Sequence, residues 1–249
     1  MKVLAIGNSF SEDATHYLHQ LAEKDGTDLF VVNLMIGGCE LARHWNNIEN
    51  DLADYDLQVN GFPVGRKVSV GEALGMENWD ILVTQQASHD SGLPQTYHPY
   101  LENIIAYLRA QKPNAAIYLQ KTWAYETDSM HNCFARYDCD QEKMYRALSD
   151  AYENAARTLS LPLIPSADVI QSLRKKEPFL YGHGGMSLCR DGFHMNLIYG
   201  RYLLSALWYR TFTGKAVSDI SYLPHTPLAP NAVCDEKVLR VIQNEVDAF

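Results

Sequence analysis

Short apolar runs alternate along this chain with longer stretches in which apolar positions recur every three or four residues. The short runs cover residues 2–6, 29–35, 80–84, 115–119 and 161–164. Each has strand length and is rich in Val, Ile or Leu. Their apolarity is continuous rather than alternating, which predicts strands covered on both faces, as in a parallel sheet. The longer stretches predict helices. Residues 12–25 place Ala14, Tyr17, Leu18 and Leu21 at helical spacing and stop before Gly26. Residues 97–111 put Leu101, Ile104, Ile105 and Leu108 on one face and end ahead of Pro113. Residues 140–159 carry Met144, Leu148, Ala151, Tyr152 and Ala155. Segments 41–52, 167–175 and 197–213 complete the set, with a short last helix over 235–246 after a Pro-rich wrap that starts near residue 215.

Strand–helix alternation of this kind predicts an α/β fold: one three-layer α/β/α domain, flavodoxin-like, with a mostly parallel five-stranded sheet and helices on both faces. One stretch breaks the rhythm. Residues 55–71 carry Leu57, Val59 and Phe62, then Val68 and Val70, around Gly61-Phe62-Pro63, and predict an inserted hairpin. No composition shift or repeat marks a boundary, so residues 1–249 are expected to form a single domain.

Composition narrows the function classes. A hydrophobic fraction of 47% with 20% charged residues is that of a globular chain, not of a disordered one. The formal charge of -9 is the wrong sign for a nucleic-acid-binding surface. No stretch supplies the ~20 apolar residues of a membrane helix. The apolar run near the start, Val3 to Ile6, is too short for a signal-peptide core. With five cysteines and no CxxC pair, the expectation is reduced thiols in the cytoplasm.

Two segments can carry chemistry. Gly7-Asn8-Ser9-Phe10-Ser11 falls where the first strand ends and the first helix begins. Ligands bind at this carboxyl edge in open α/β sheets. A serine there is either a nucleophile, part of an anion cradle, or simply a helix cap. The second segment, Asp191-Gly192-Phe193-His194, precedes the last long helix. Histidine is the usual general base near neutral pH, and a carboxylate on its other ring nitrogen fixes the tautomer. A lone D-x-x-H is common by chance; a serine at the first strand end together with a late D-x-x-H is far more specific.

That pairing resembles the SGNH (GDSL-type) hydrolase superfamily, in a bacterial branch that opens with G-N-S-F-S. The resemblance spans residues 2 to about 212 and implies Ser9 as nucleophile, His194 as base and Asp191 as its partner. It also implies oxyanion donors from the Ser9 and Gly38 backbones. The superfamily's third block, an Asn in G-x-N-D, is replaced here by Gln85-Gln86-Ala87-Ser88. Similarity to sialic-acid and acetylxylan esterases points to Gln86 as the third donor, with Gln85 as the alternate. Asn8 stands where the superfamily has Asp, outside the catalytic three. The implied activity is a serine esterase without metal or organic cofactor, acting on small-molecule or glycan esters, acetyl groups foremost, with no nucleic-acid or membrane partner.

Other features lead elsewhere or nowhere. A non-catalytic module binding phosphate, flavin or a glycan is the competing reading of the Gly7–Ser11 loop. His131, Cys133, Cys139, His183 and Cys189 fit no zinc spacing. Gly182-His183-Gly184-Gly185 reads as a flexible loop near the D-x-x-H. Trp45, Trp123 and Tyr125 follow strand ends, and each is expected to pack in the core or at its rim.

Overall fold

The five apolar runs all become strands, and they lie side by side. In a computed structural model covering residues 1–249, they are β1 (Lys2–Gly7), β2 (Phe30–Met35), β5 (Ile81–Thr84), β6 (Ala116–Gln120) and β7 (Leu163–Ile164). All pair in parallel, with β1 between β2 and β5. Residues 55–71 supply more than an excursion. Their strands β3 (Tyr55–Val59) and β4 (Phe62–Val68) add antiparallel to the free edge of β2. The sheet is therefore seven-stranded, in the order β4-β3-β2-β1-β5-β6-β7, rather than five-stranded. Asn60 and Gly61 close the hairpin with φ of +51° and +88°. Two consecutive positive φ values suit the right-handed strand twist, and Asn-Gly tolerates them.

The helices are α1 (Ser9–Thr15), α2 (Leu18–Lys24), α3 (Leu41–Glu49), α4 (Val70–Met76), α5 (Tyr100–Gln111), α6 (Gln141–Leu159), α7 (Ser166–Leu173), α8 (Tyr199–Thr213) and α9 (Glu236–Ala248). The single helix expected over 12–25 is two helices, and the break has a cause. The Ser205 hydroxyl on α8 donates to the Ala14 carbonyl at 2.8 Å and accepts from the Tyr17 N–H at 3.2 Å. A side chain inserted into the i→i−4 ladder in this way interrupts it. Helix α4 begins at the end of the stretch read as a hairpin, on a Ser69 side-chain cap.

Helix α8 is buried almost all round, from Gly200 to Tyr209, rather than along one stripe. It packs on α1, α2 and α9. Even Arg201 is only 2% exposed, which forces it to find a carboxylate. Trp123 and Tyr125 are fully buried core residues. The segment after Lys215 runs without regular structure to α9, which packs on α7 and α8. No helix is long and apolar enough to cross a membrane.

Candidate active site

Chain order places β1 at the point where the connections reverse, going first to β2 on one side and later to β5 on the other. Crevices at such switch points open beyond the carboxyl ends of the strands. Ser9 sits there, as the first residue of α1. Its hydroxyl is 2.9 Å from Nε2 of His194. The other ring nitrogen, Nδ1, is 2.7 Å from Asp191 Oδ2. A carboxylate on Nδ1 favours the tautomer that carries its proton there, leaving Nε2 as the acceptor toward Ser9.

Asp191 is well held for this task. Its Oδ1 accepts from the backbone N–H of His194 at 2.8 Å and of Phe193 at 3.2 Å. Partial burial pushes its carboxyl up. The His194 ring, the two backbone donors and the imidazole charge outweigh that, and hold it below the usual carboxylate range.

The turn that carries Ser9 is pinned by Asn8. The Asn8 Oδ1 caps α1 by accepting from the Phe10 N–H at 3.0 Å, and it also accepts from Gln85 Nε2 at 2.7 Å. Its Nδ2 donates to the Cys39 carbonyl at 3.1 Å, tying the Ser9 turn to the Gly37-Gly38 turn after β2. A carboxylate could do the first two jobs and not the third. The motif shows Asn8 in place of Asp; only the fold shows what its amide nitrogen reaches. Gly38 adopts φ +63°, a left-handed value that glycine accepts without strain. The backbone N–H groups of Ser9 and Gly38 have no acceptor within the protein, and both residues line a cavity of about 400 Å³.

Gln86 does not join them. It is completely buried, and its side-chain oxygen accepts from the N–H of Leu41 at 3.0 Å and of Ala87 at 2.8 Å. Its amide nitrogen donates to the Thr96 carbonyl at 3.1 Å and the Thr96 hydroxyl at 3.0 Å. With both amide hydrogens used, it has none for an oxyanion, and the assignment of Gln86 as third donor is corrected. The alternate, Gln85, is spent on Asn8 and is equally buried. From this block it is Ser88 and His89 that reach the cavity wall.

The loop bearing Asp191 and His194 is closed at its base by an antiparallel bridge between Cys189 and Met195, but it joins no strand of the sheet. Two buried charge clusters brace it. On the side of α1, Asp13 is fully buried and accepts from Arg190 Nη1 at 3.0 Å, Arg201 Nε at 2.8 Å and the Met195 N–H at 2.9 Å. On the far side, Glu126 pairs with Arg174 at 3.1 Å and accepts from the Ser187 hydroxyl at 3.2 Å. The Glu126 N–H donates to the Gly192 carbonyl at 2.7 Å, and the Trp123 indole N–H to the Phe193 carbonyl at 2.8 Å. Asp13, Trp123, Glu126 and Arg174 all lie far from the loop in sequence, and no motif marks them as its partners.

Comparison with known proteins agrees with this architecture. The sequence matches the family described as "Domain of unknown function (DUF4886)" over residues 2–235. A DUF4886 family protein from Bacteroides uniformis is 33% identical and superposes with a TM-score of 0.87, covering 100% of this chain and 93% of that one. A candidate SGNH hydrolase from Slackia heliotrinireducens superposes at 0.58 with 22% identity, covering 85% and 98%. An acetyl xylan esterase does so at 0.55 with 16% identity, covering 84% and 98%. No curated protein matches the sequence. The chain belongs to the DUF4886 family and has the fold of the SGNH hydrolases.

Proposed function

We propose that this protein is a serine esterase with Ser9 as nucleophile. The observation that carries the reading is the chain of contacts from Ser9 Oγ to His194 Nε2 (2.9 Å) and from His194 Nδ1 to Asp191 (2.7 Å). In the first half-reaction the Ser9 oxygen attacks the ester carbonyl while His194 takes its proton. The oxyanion forms against the Ser9 and Gly38 N–H groups. One such donor is worth about 3 kcal/mol of barrier. Asp191 keeps the ring oriented and stabilises its charged form. His194 then gives the proton to the departing alcohol. Water, deprotonated by His194, attacks the acyl-serine, and the acid leaves with Ser9 restored.

The cavity supports a short acyl group on a hydrophilic alcohol. It holds about 400 Å³, and only Phe10, Met35 and Phe193 among its walls are large apolar side chains. A long acyl chain would find little apolar surface there. Acetyl esters of carbohydrates are the substrate class we infer. The test is hydrolysis of p-nitrophenyl acetate by wild type and Ser9→Ala. We expect Ser9→Ala to lose about 10⁴-fold or more in kcat, and equal rates for the two would overturn the assignment.

A further inference from the structure

One wall of the Ser9 cavity is built from residues that the triad does not use. His89, from the turn after β5, and His131, from the segment after β6, both line it. Their rings stack, with centroids 6.3 Å apart and planes 14° from parallel. The His131 ring also meets Phe193 edge-on at 4.8 Å and Tyr125 at 4.8 Å. Phe193 in turn lies 4.1 Å from the His194 ring. His131 thus stands on the side of the cavity that holds His194, across from the β2 turn that carries Gly38.

The direction of the His131 hydrogen bonds is settled by its own backbone neighbourhood. The Cys133 N–H donates to His131 Nδ1 at 3.2 Å, capping the short helical turn Asn132–Tyr137. An Nδ1 that accepts cannot also carry a proton, so the ring is neutral with its proton on Nε2. Burial, and next the nearby His89 and His194, push the His131 pKa down and keep the ring neutral. Nε2 has no partner in the protein and is not among the enclosed polar atoms. It is a fixed donor that keeps some solvent exposure, on a residue that lines the cavity.

We propose that His131 is a specificity-determining residue whose Nε2–H donates to an oxygen of the leaving alcohol, so that the enzyme favours esters whose alcohol carries an acceptor oxygen beyond the ester group itself. The assignment rests on the serine-esterase reading and concerns the alcohol side alone. His194 must reach the alcohol oxygen to protonate it, and His131 is one aromatic ring beyond His194. No bond is made or broken by His131.

Two acetate esters of nearly equal shape separate this role from a structural one. 2-Methoxyethyl acetate presents an ether oxygen where butyl acetate has a methylene. The readout is the ratio of kcat/KM for the two esters, in wild type against His131→Phe and His131→Asn. Phenylalanine keeps the ring contacts with Phe193 and Tyr125. Asparagine keeps an acceptor for the Cys133 N–H and lacks the reach of the imidazole. A neutral hydrogen bond of ordinary strength predicts that the wild-type ratio falls about five- to tenfold in both variants, while butyl acetate turnover changes less than about twofold. An unchanged ratio, or an equal loss on both esters, overturns the proposal. Neither outcome touches the nucleophile, whose own failure would show as full activity in Ser9→Ala.

Discussion

The two halves of the candidate site are held in place by different physics. Ser9 sits on a turn whose geometry is local. A buried strand ends at Gly7, Asn8 caps the next helix, and the hydroxyl lands at the sheet edge. Asp191 and His194 sit on a loop whose own hydrogen bonds close it but do not carry it to Ser9. That loop is fixed by Asp13 and Arg201 on one side and by Glu126 and Arg174 on the other, groups up to 188 residues apart in the chain. Ser9 is built into a strand–helix junction. His194 must be brought to it from the other end of the chain, and buried ion pairs hold it there. Such pairs contribute little net stability, and are costly to break.

The strongest challenge to that contrast is Asp13→Ala. It leaves Arg201 buried without its carboxylate, and should destabilise the fold by about 3–5 kcal/mol. Urea unfolding at neutral pH measures this; a loss under ~1 kcal/mol would mean that packing, not charge, holds the loop.

Acid comes next, and it acts on the half that holds the nucleophile. His16, at the end of α1, and His44, in α3, are buried with pKa values pushed down to about 3, chiefly by burial and then by Arg201 and Arg43 respectively. Both recover an ordinary value near 6.5 on unfolding. Below that pH the unfolded chain binds more protons than the folded one, so stability falls as pH drops toward 3. The slope reaches about 1.4 kcal/mol per pH unit for each histidine. In His44→Phe, which keeps the stack on Tyr55, the slope between pH 6 and 4 should fall by about 1 kcal/mol per pH unit.

A smaller effect tests the loop from within. Gly192 has φ +86°, and a Cβ there would lie 2.9 Å from the Ser129 Cα. Gly192→Ala should cost about 1–3 kcal/mol and displace His194. Labelling of Ser9 by a fluorophosphonate should then slow more than thermal stability alone explains. The smallest effect belongs to the local half. Asn8→Asp keeps the cap and the Gln85 bond and loses only the bond to Cys39, about 1 kcal/mol, while Asn8→Ala also removes the helix cap, worth about 1 kcal/mol, and the acceptor of the Gln85 amide. If Asn8→Ala were to destabilise as much as Asp13→Ala, the distinction between a local turn and a braced loop would fall.

The same contrast separates what was readable in the sequence from what was not. Each parallel strand was legible because a strand buried on both faces must be apolar throughout, and such a run is visible in one dimension. Ser9, Asp191 and His194 were legible as candidates in two short motifs, and the structure brings their side chains within hydrogen-bond reach. The hairpin was legible as two strands, but nothing local told that β3 would pair with β2 and widen the sheet.

What the sequence alone determined was the α/β order, the parallel core and the two segments, around Ser9 and around Asp191 and His194, that meet at the sheet edge. Tertiary structure alone decided where the long-range hydrogen bonds go. It sent the Gln86 amide to Thr96 and away from the cavity. It set Ser205 into the ladder of α1 and broke that helix. It brought Asp13 to Arg190 and Arg201. It placed His131, with its Nδ1 occupied by the Cys133 N–H, in the cavity wall. Apolar burial is periodic along the chain and can be read from it. A buried polar group must find a partner wherever the fold supplies one, and the partner's position in sequence carries no trace of the pairing.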